Sequence, residues 1–217
     1  MDFLKIDGSY GEGGGQIVRS AVTLSSITKK PILIENIRKK RKIPGLRPQH
    51  LTAIKLLAKI CNADVDGLNV GSTAIKFIPK NVESKTIDEN IGTAGSISLI
   101  LQVLIPAVSI SKKSLKLSII GGTDVPWSPT SNYTKYVLKE AYSRMGINFS
   151  MEIKKRGYYP RGGGLVELEV YPSEKLKPIS LTQRQTKSVK LFCSYSDLSL
   201  DRIKNEVQEA ENLLKDA

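Results

Sequence analysis

The sequence predicts an α/β (α+β) protein built from a duplicated α/β module, followed by a tail of different character. Three observations lead there. Glycine-rich turns open helix-periodic stretches, and these alternate with short apolar runs of strand length. The order of glycine loop, helix, strand, polar loop and helix then recurs: Gly95 lies 80 positions after Gly15, and Pro129 lies 85 after Pro44. Such a period is too long for a solenoid unit and suits a duplicated α/β module. Finally, the 217 residues are 40% hydrophobic and 25% charged, which supports a real core and excludes disordered, collagen-like and disulfide-scaffold classes.

In chain order, residues 3–6 read as a short strand and 8–15 as a glycine-rich loop. Residues 16–27 are helical, with Ile17, Ala21, Leu24 and Ile27 on one face. Residues 31–37 form a strand and 38–47 a basic loop. Residues 48–61 form a helix whose Pro48 sits in the first turn, where a missing N–H does no harm; Leu51, Ile54, Leu57 and Ala58 line its apolar side. A strand over 74–78 closes the first module, about residues 1–80. In the second module, about 81–172, residues 92–96 form a small-residue loop and 97–108 a helix. A strand over 115–120, a loop over 121–129 and a helix over 132–145 follow. Strands over 148–154 and 165–171 end the module, joined by a turn with Arg161, Gly162, Gly163 and Gly164. Beyond residue 172 the sequence changes character: a polar stretch, a strand over 188–195, and an amphipathic helix over 197–215. Leu200, Ile203, Val207, Ala210 and Leu214 share one face of that helix. One strand and one helix cannot bury such a face alone, so it calls for docking, self-association or a complementing chain.

The charge is 33 basic against 21 acidic residues, a net +12 at pH 7. That excess favours a polyanionic partner, a nucleic acid or a nucleotide, although solvated lysines alone produce the same number. The two cysteines, Cys61 and Cys193, are expected to be buried free thiols of a reducing compartment. With one histidine, His50, a His/Cys zinc site is excluded by count. The longest apolar stretch, 97–110, is broken by Gln102 and Pro106 and is too short to span a bilayer. No membrane partner and a cytoplasmic location are therefore expected.

Several motifs carry candidate chemistry. Gly11-Glu12-Gly13-Gly14-Gly15-Gln16 precedes a helix, so backbone amides and the helix dipole can approach an anion. No Gly-Lys-Ser/Thr follows, as a P-loop requires, and Gln16 stands where a dinucleotide fingerprint has its last glycine. A tight packing turn remains the alternative. Glu12 would repel phosphate unless it holds a metal ion or a ligand hydroxyl; otherwise it is a carboxylate stabilised by the helix dipole. In the stretch Arg38 to Arg47, six of ten residues are cationic. A bound polyanion relieves their repulsion, and arginine grips phosphate bidentately; a solvated basic loop is the plainer reading. His50 opens a helix beside these arginines, which disfavour its charged form. Trp127 and Tyr133, near Gly121-Gly122-Thr123-Asp124, are either stacking surfaces for bases or core aromatics.

Taken together, these motifs resemble the RNA 3'-terminal phosphate cyclase family. The resemblance is carried by Gly11 to Gln16 with Arg19, Ile37-Arg38 with Arg41, Pro44-Gly45-Leu46 with Gln49-His50-Leu51, and Gly92 to Gln102. Gly121 to Asp124 and Tyr159 to Gly164 agree as well. The match runs from about residue 6 to 172. The resemblance implies a fold of duplicated βαβαβ-type modules plus part of a small inserted α/β domain, residues 173–217. It implies an ATP-dependent ligase that converts an RNA 3'-phosphate to a 2',3'-cyclic phosphate through adenylylated intermediates, with a divalent metal (Mg or Mn). By the same resemblance, Glu12, Gly13, Gly14, Gln16, Gln102 and Pro129 bind the nucleotide, and Glu12 also serves the metal. Arg19, Arg38, Arg41, Gln49 and His50 bind phosphates of ATP or the RNA 3' end. The family's nucleophilic histidine belongs to a segment later than residue 217, and His50 does not match it. No catalytic nucleophile is therefore assigned here. The alternatives are a non-catalytic RNA-binding relative of the ribosome-biogenesis kind, or a fragment inactive without the later module.

Overall fold

The computed structural model describes residues 2–182, 189, 191–195 and 198–215. The chain divides into two compact units, Met1–Ile179 and Ser180–Ala217. The first contains β1 (Leu4–Asp7), α1 (Gly15–Thr28), β2 (Ile32–Glu35), α2 (Pro48–Cys61), β3 (Asp64–Asp66) and β4 (Ile75–Ile78). It continues with β5 (Lys85–Asn90), α3 (Ile97–Ile110), β6 (Leu115–Gly121), a π-helix (Tyr133–Leu138), α4 (Lys139–Arg144), β7 (Phe149–Lys155) and β8 (Gly164–Val170).

The two sheets repeat one topology, with strand orders β1-β2-β4-β3 and β5-β6-β8-β7. In each, the first pair is parallel and the others antiparallel. The mixed α/β class is therefore the observed one. Each module, however, is βαβαββ rather than βαβαβ. The strands not anticipated are β3, whose sequence is Asp-Val-Asp, and β5, in which only Ile87 is buried. Both are edge strands, so their apolar content is too thin to show an alternation.

Alternation is plain where a strand is central. In β6, Leu115, Leu117 and Ile119 are buried while Lys116 and Ile120 are exposed. Those three face Val170, Leu168 and Val166 of β8 in register. The opposite pattern, burial on nearly every side, marks α3. It packs on both α1 and α2, and ten of its fourteen residues are buried. Pro106 interrupts it; lacking an N–H, this residue cannot bond the carbonyl of Gln102 one turn back.

Several expectations need correction. The buried face of α1 is Val18, Ala21, Val22, Ser25 and Ser26, and Leu24 is exposed. Helices on two sides select small residues there rather than the stripe through Leu24. The helix expected over 132–145 is α-helical at residues 131–132, π-helical over Tyr133–Leu138 and α-helical again over Lys139–Arg144. Cys193 is exposed, unlike Cys61. The strand expected over 188–195 lies partly outside the described residues, and its described positions, 189 and 191–195, form no strand. In the second unit, α5 (Leu200–Lys215) is present, with Ile203 its buried residue and Leu200 and Leu214 exposed. Among the described residues, no helix is long and apolar enough to cross a membrane.

Candidate functional site

The site begins at the N-terminus of α1. Its N-cap, Gly14, has no side chain to accept the first amides, and the first turn carries no acidic residue. Those N–H groups are orphaned by helix geometry and stay available to an external anion. Gly13 has φ +58, a left-handed conformation that glycine adopts without strain.

The basic stretch folds back onto this loop. Arg41 Nη2 donates to Glu12 Oε2 at 3.0 Å, and Lys40 Nζ donates to the Gly11 carbonyl at 3.1 Å. Tyr10, Glu12, Gly13, Gly14, Gly15, Gln16, Ile17, Arg19 and Arg41 together line an open cleft of about 360 Å³. Arg19 Nη2 donates to Gln16 Oε1 at 2.7 Å, while its buried Nε has no partner among the described residues. Burial lowers the Arg19 pKa, so its charge is held in a site where a phosphate would gain from it.

His50 lies behind Gly15. It is 4% exposed, and its Nδ1 accepts the Arg47 N–H at 3.1 Å. In the neutral ring the proton therefore sits on Nε2. A Cβ placed on Gly15 would overlap that Nε2, so Gly15 is the residue that lets α1 start directly against the imidazole. Burial, followed by the charges of Arg19, Arg38 and Arg47, pushes the His50 pKa down to about 3. The neutral histidine is thus present, and its bond from the Arg47 N–H is equally the backbone contact of a helix-start histidine.

Arg38 has a different surrounding. Its Nη1 donates to the carbonyls of Ile43 and Gly45 at 2.8 and 2.9 Å, bracing the basic loop from within. Its pKa is lowered by burial and then by Arg47 and Arg41. Gln102 lies in a neighbouring cleft of about 340 Å³, which shares Gln16 and Arg19 with the first and continues over Thr23, Leu24, Pro106 and Tyr142. Gln49 reaches the other module, its Oε1 accepting the Ser96 N–H at 3.4 Å. Pro129 lines neither cleft; it stands in the loop after β6.

Glu12, Gly13, Gly14, Gln16, Arg19, Arg41 and His50 thus converge, Gln102 adjoins them, and Arg38 and Gln49 brace the surroundings. Tyr10 and Lys40 fall within the glycine-rich loop and the basic stretch that the sequence singles out, whereas Ile17, expected on the apolar face of α1, is a lining residue that sequence reasoning missed. It also missed Arg156, whose role depends on contacts with Asp124 and Asn132 at 3.0 and 2.8 Å. For a metal, Glu12 offers one exposed carboxylate, and the described residues contain no group of three His, Cys, Asp or Glu that could hold an ion. That donor set fits a cation bound mainly through phosphate oxygens and water.

Comparison with known proteins agrees with this architecture. The family model described as RNA 3'-terminal phosphate cyclase matches residues 10–210. The RNA 3'-terminal phosphate cyclase of Thermococcus kodakarensis is 52% identical over 179 residues, covering 82% of this chain and 52% of that protein. The protein of the same name from Korarchaeum cryptofilum is 51% identical over 179 residues, covering 82% of this chain and 51% of that one. That of Methanosarcina barkeri is 51% identical over 169 residues, covering 78% and 51%. The chain spans about half the length of these curated relatives. With a match across both modules and identity near one half, the chain belongs to the RNA 3'-terminal phosphate cyclase family.

Proposed function

We propose that this chain supplies the nucleotide- and RNA-end-binding part of an ATP-dependent RNA 3'-phosphate cyclase, a ligase of RNA processing. The observation that carries the reading is the convergence of uncapped α1 amides, Arg19 and Arg41 on one cleft beside a neutral His50. In the proposed reaction the bond between the α- and β-phosphates of ATP breaks, pyrophosphate leaves with its electron pair, and the adenylyl group reaches an oxygen of the RNA 3'-phosphate by way of an adenylylated intermediate. The neighbouring 2'-hydroxyl then attacks that phosphorus, a P–O bond forms, and AMP departs with the pair of the broken bond. Activating a phosphate in this way makes a poor leaving group a good one.

The glycine-loop amides and Arg41 would hold phosphate oxygens, and Arg19 would neutralise charge from the deeper side. Gln16 orients Arg19 through their hydrogen bond. Gln102 and Pro129 would serve the adenylate. Glu12 would hold a divalent ion, Mg or Mn, which when bound would supply neutralisation of phosphate charge. His50 would donate from Nε2 as a neutral group; buried and the chain's only histidine, it is not assigned as nucleophile, a role left to a later segment by the family resemblance. A reducing cytoplasm suits the two free thiols. Residues 173–217 would form part of the inserted domain, and the exposed Leu200, Leu213 and Leu214 suit self-association or a complementing chain.

Equilibrium binding of matched oligoribonucleotides with 3'-phosphate or 3'-hydroxyl ends tests the reading. The phosphate-ended RNA should bind about tenfold tighter or more, and Arg41→Ala should remove most of that preference. Equal affinity for both ends would refute it. Incubation with α-labelled ATP and Mg²⁺ should leave no stable label on the chain. A labelled His50 would return the nucleophile to this part of the protein. The non-catalytic RNA-binding alternative shares the binding result and is separated by whether ATP competes with RNA for the cleft.

A further inference from the structure

Trp127 is the chain's only tryptophan and is fully exposed. That position forgoes the burial which places most large aromatic rings in cores. Its φ of +64 lies in the left-handed region, disfavoured for a bulky residue. The surrounding loop fixes it there. Ser131 donates through both N–H and Oγ to the Thr123 carbonyl, at 2.8 and 2.9 Å, which closes the loop at its base. Thr123 Oγ1 donates to Asp124 at 2.6 Å, and Gly157 N–H donates to Thr123 Oγ1 at 2.9 Å. Arg156 then clamps Asp124 at the start of the loop and Asn132 just beyond it.

Two other exposed aromatic residues belong to segments joined to this clamp. Tyr133, 44% exposed, follows Asn132 directly. Tyr159, 69% exposed, follows Tyr158, whose backbone bridges Asp124. The exposed Lys155 and Arg161 flank these segments, while the nearby acid, Asp124, is neutralised by Arg156. The block is also linked to the start of α2 through the loop over residues 92–96. Gly122 N–H donates to the Gly95 carbonyl at 2.9 Å, and Ser96 is bonded to Gln49, the neighbour of His50.

We infer that Trp127, Tyr133 and Tyr159 form a stacking platform for unpaired bases of single-stranded RNA, in the nucleotides leading to the terminal phosphate; this rests on the reading of the glycine-loop cleft as the RNA-end site. Aromatic faces beside basic side chains are how proteins hold single strands without reading sequence, because every base has a π-face. A rigid, pre-exposed ring loses little freedom on binding.

The single tryptophan supplies its own probe. A short oligoadenylate ending in a 3'-phosphate should quench the emission of the full chain, with the same midpoint as binding followed by anisotropy of labelled RNA. Trp127→Ala should weaken RNA about fivefold or more. Trp127→Phe should retain most of the affinity, and ATP affinity should not change in either variant. Since the ring is exposed, the fold should survive both changes, which circular dichroism checks. RNA binding with unquenched emission and unchanged affinity in Trp127→Ala overturns the platform and leaves the cleft reading standing. Equal quenching by ATP alone overturns it as well, by assigning the ring to the nucleotide. Absence of any RNA binding to the unmodified chain refutes the cleft reading and the platform together.

Discussion

His50, behind Gly15, shows how a single side chain ties stability to pH. Its folded pKa is about 3 against the ordinary 6.5. Between those values the unfolded chain binds a proton that the folded chain does not, so stability rises with pH across that window and levels above it. The whole shift corresponds to something on the order of 5 kcal/mol. Urea midpoints followed from about pH 4 to about pH 7 should climb, and His50→Gln should flatten the climb. Ring resonances of His50 should stay those of the neutral tautomer throughout this range. Glu12 is the opposite case. Its bond to Arg41 joins an 89% exposed carboxylate to a half-exposed guanidinium, so it adds little to folding and leaves Arg41 free to exchange partners when phosphate arrives.

Among the elements, α3 bears the most packing. It is the shared wall of α1 and α2, and Thr23 of α1 lies with its hydroxyl 3.4 Å from the Val103 carbonyl. Leu104→Ala should therefore cost about 2–5 kcal/mol, read from the denaturant midpoint, because the tight surroundings collapse poorly around the cavity. Pro106 frees the Gln102 carbonyl one turn back, at the cleft that the Gln102 and Pro106 side chains both line. The π-helix of Tyr133–Leu138 widens the backbone after the Trp127 loop, in keeping with the tendency of such turns to occur at functional sites.

For the whole molecule, the net charge of +12 makes electrostatics a global property of binding. Affinity for single-stranded RNA should fall with salt, and Arg41→Ala should reduce the slope of log affinity against log salt by about 0.7 if it removes one phosphate contact. An unchanged slope would mean that Arg41 meets no phosphate. The duplication gives the same scale its geometry. Two sheets of identical order present their strand-to-helix loops, 8–15 and 92–96, and Gln49 joins the start of α2 to the second loop.

Much was legible in the sequence because the signals are local. The glycine run before α1, the basic stretch after β2 and the proline-opened α2 are each set by neighbouring residues, through backbone freedom, charge repulsion and helix-start chemistry. Their recurrence betrayed the duplication. What packs around each residue was not legible. Arg41 meets Glu12 across 29 residues of chain, the His50 pKa falls because burial, and then Arg19, Arg38 and Arg47, surround the ring, and Trp127 faces water although a core place was as plausible from its neighbours. The thin edge strands β3 and β5 exist because a sheet supplies their partners. The sequence by itself determined which chemistries the chain carries and in what order. Only the tertiary structure decided which of them share a cleft, because burial and electrostatic coupling depend on through-space neighbours that strand order, not chain order, brings together.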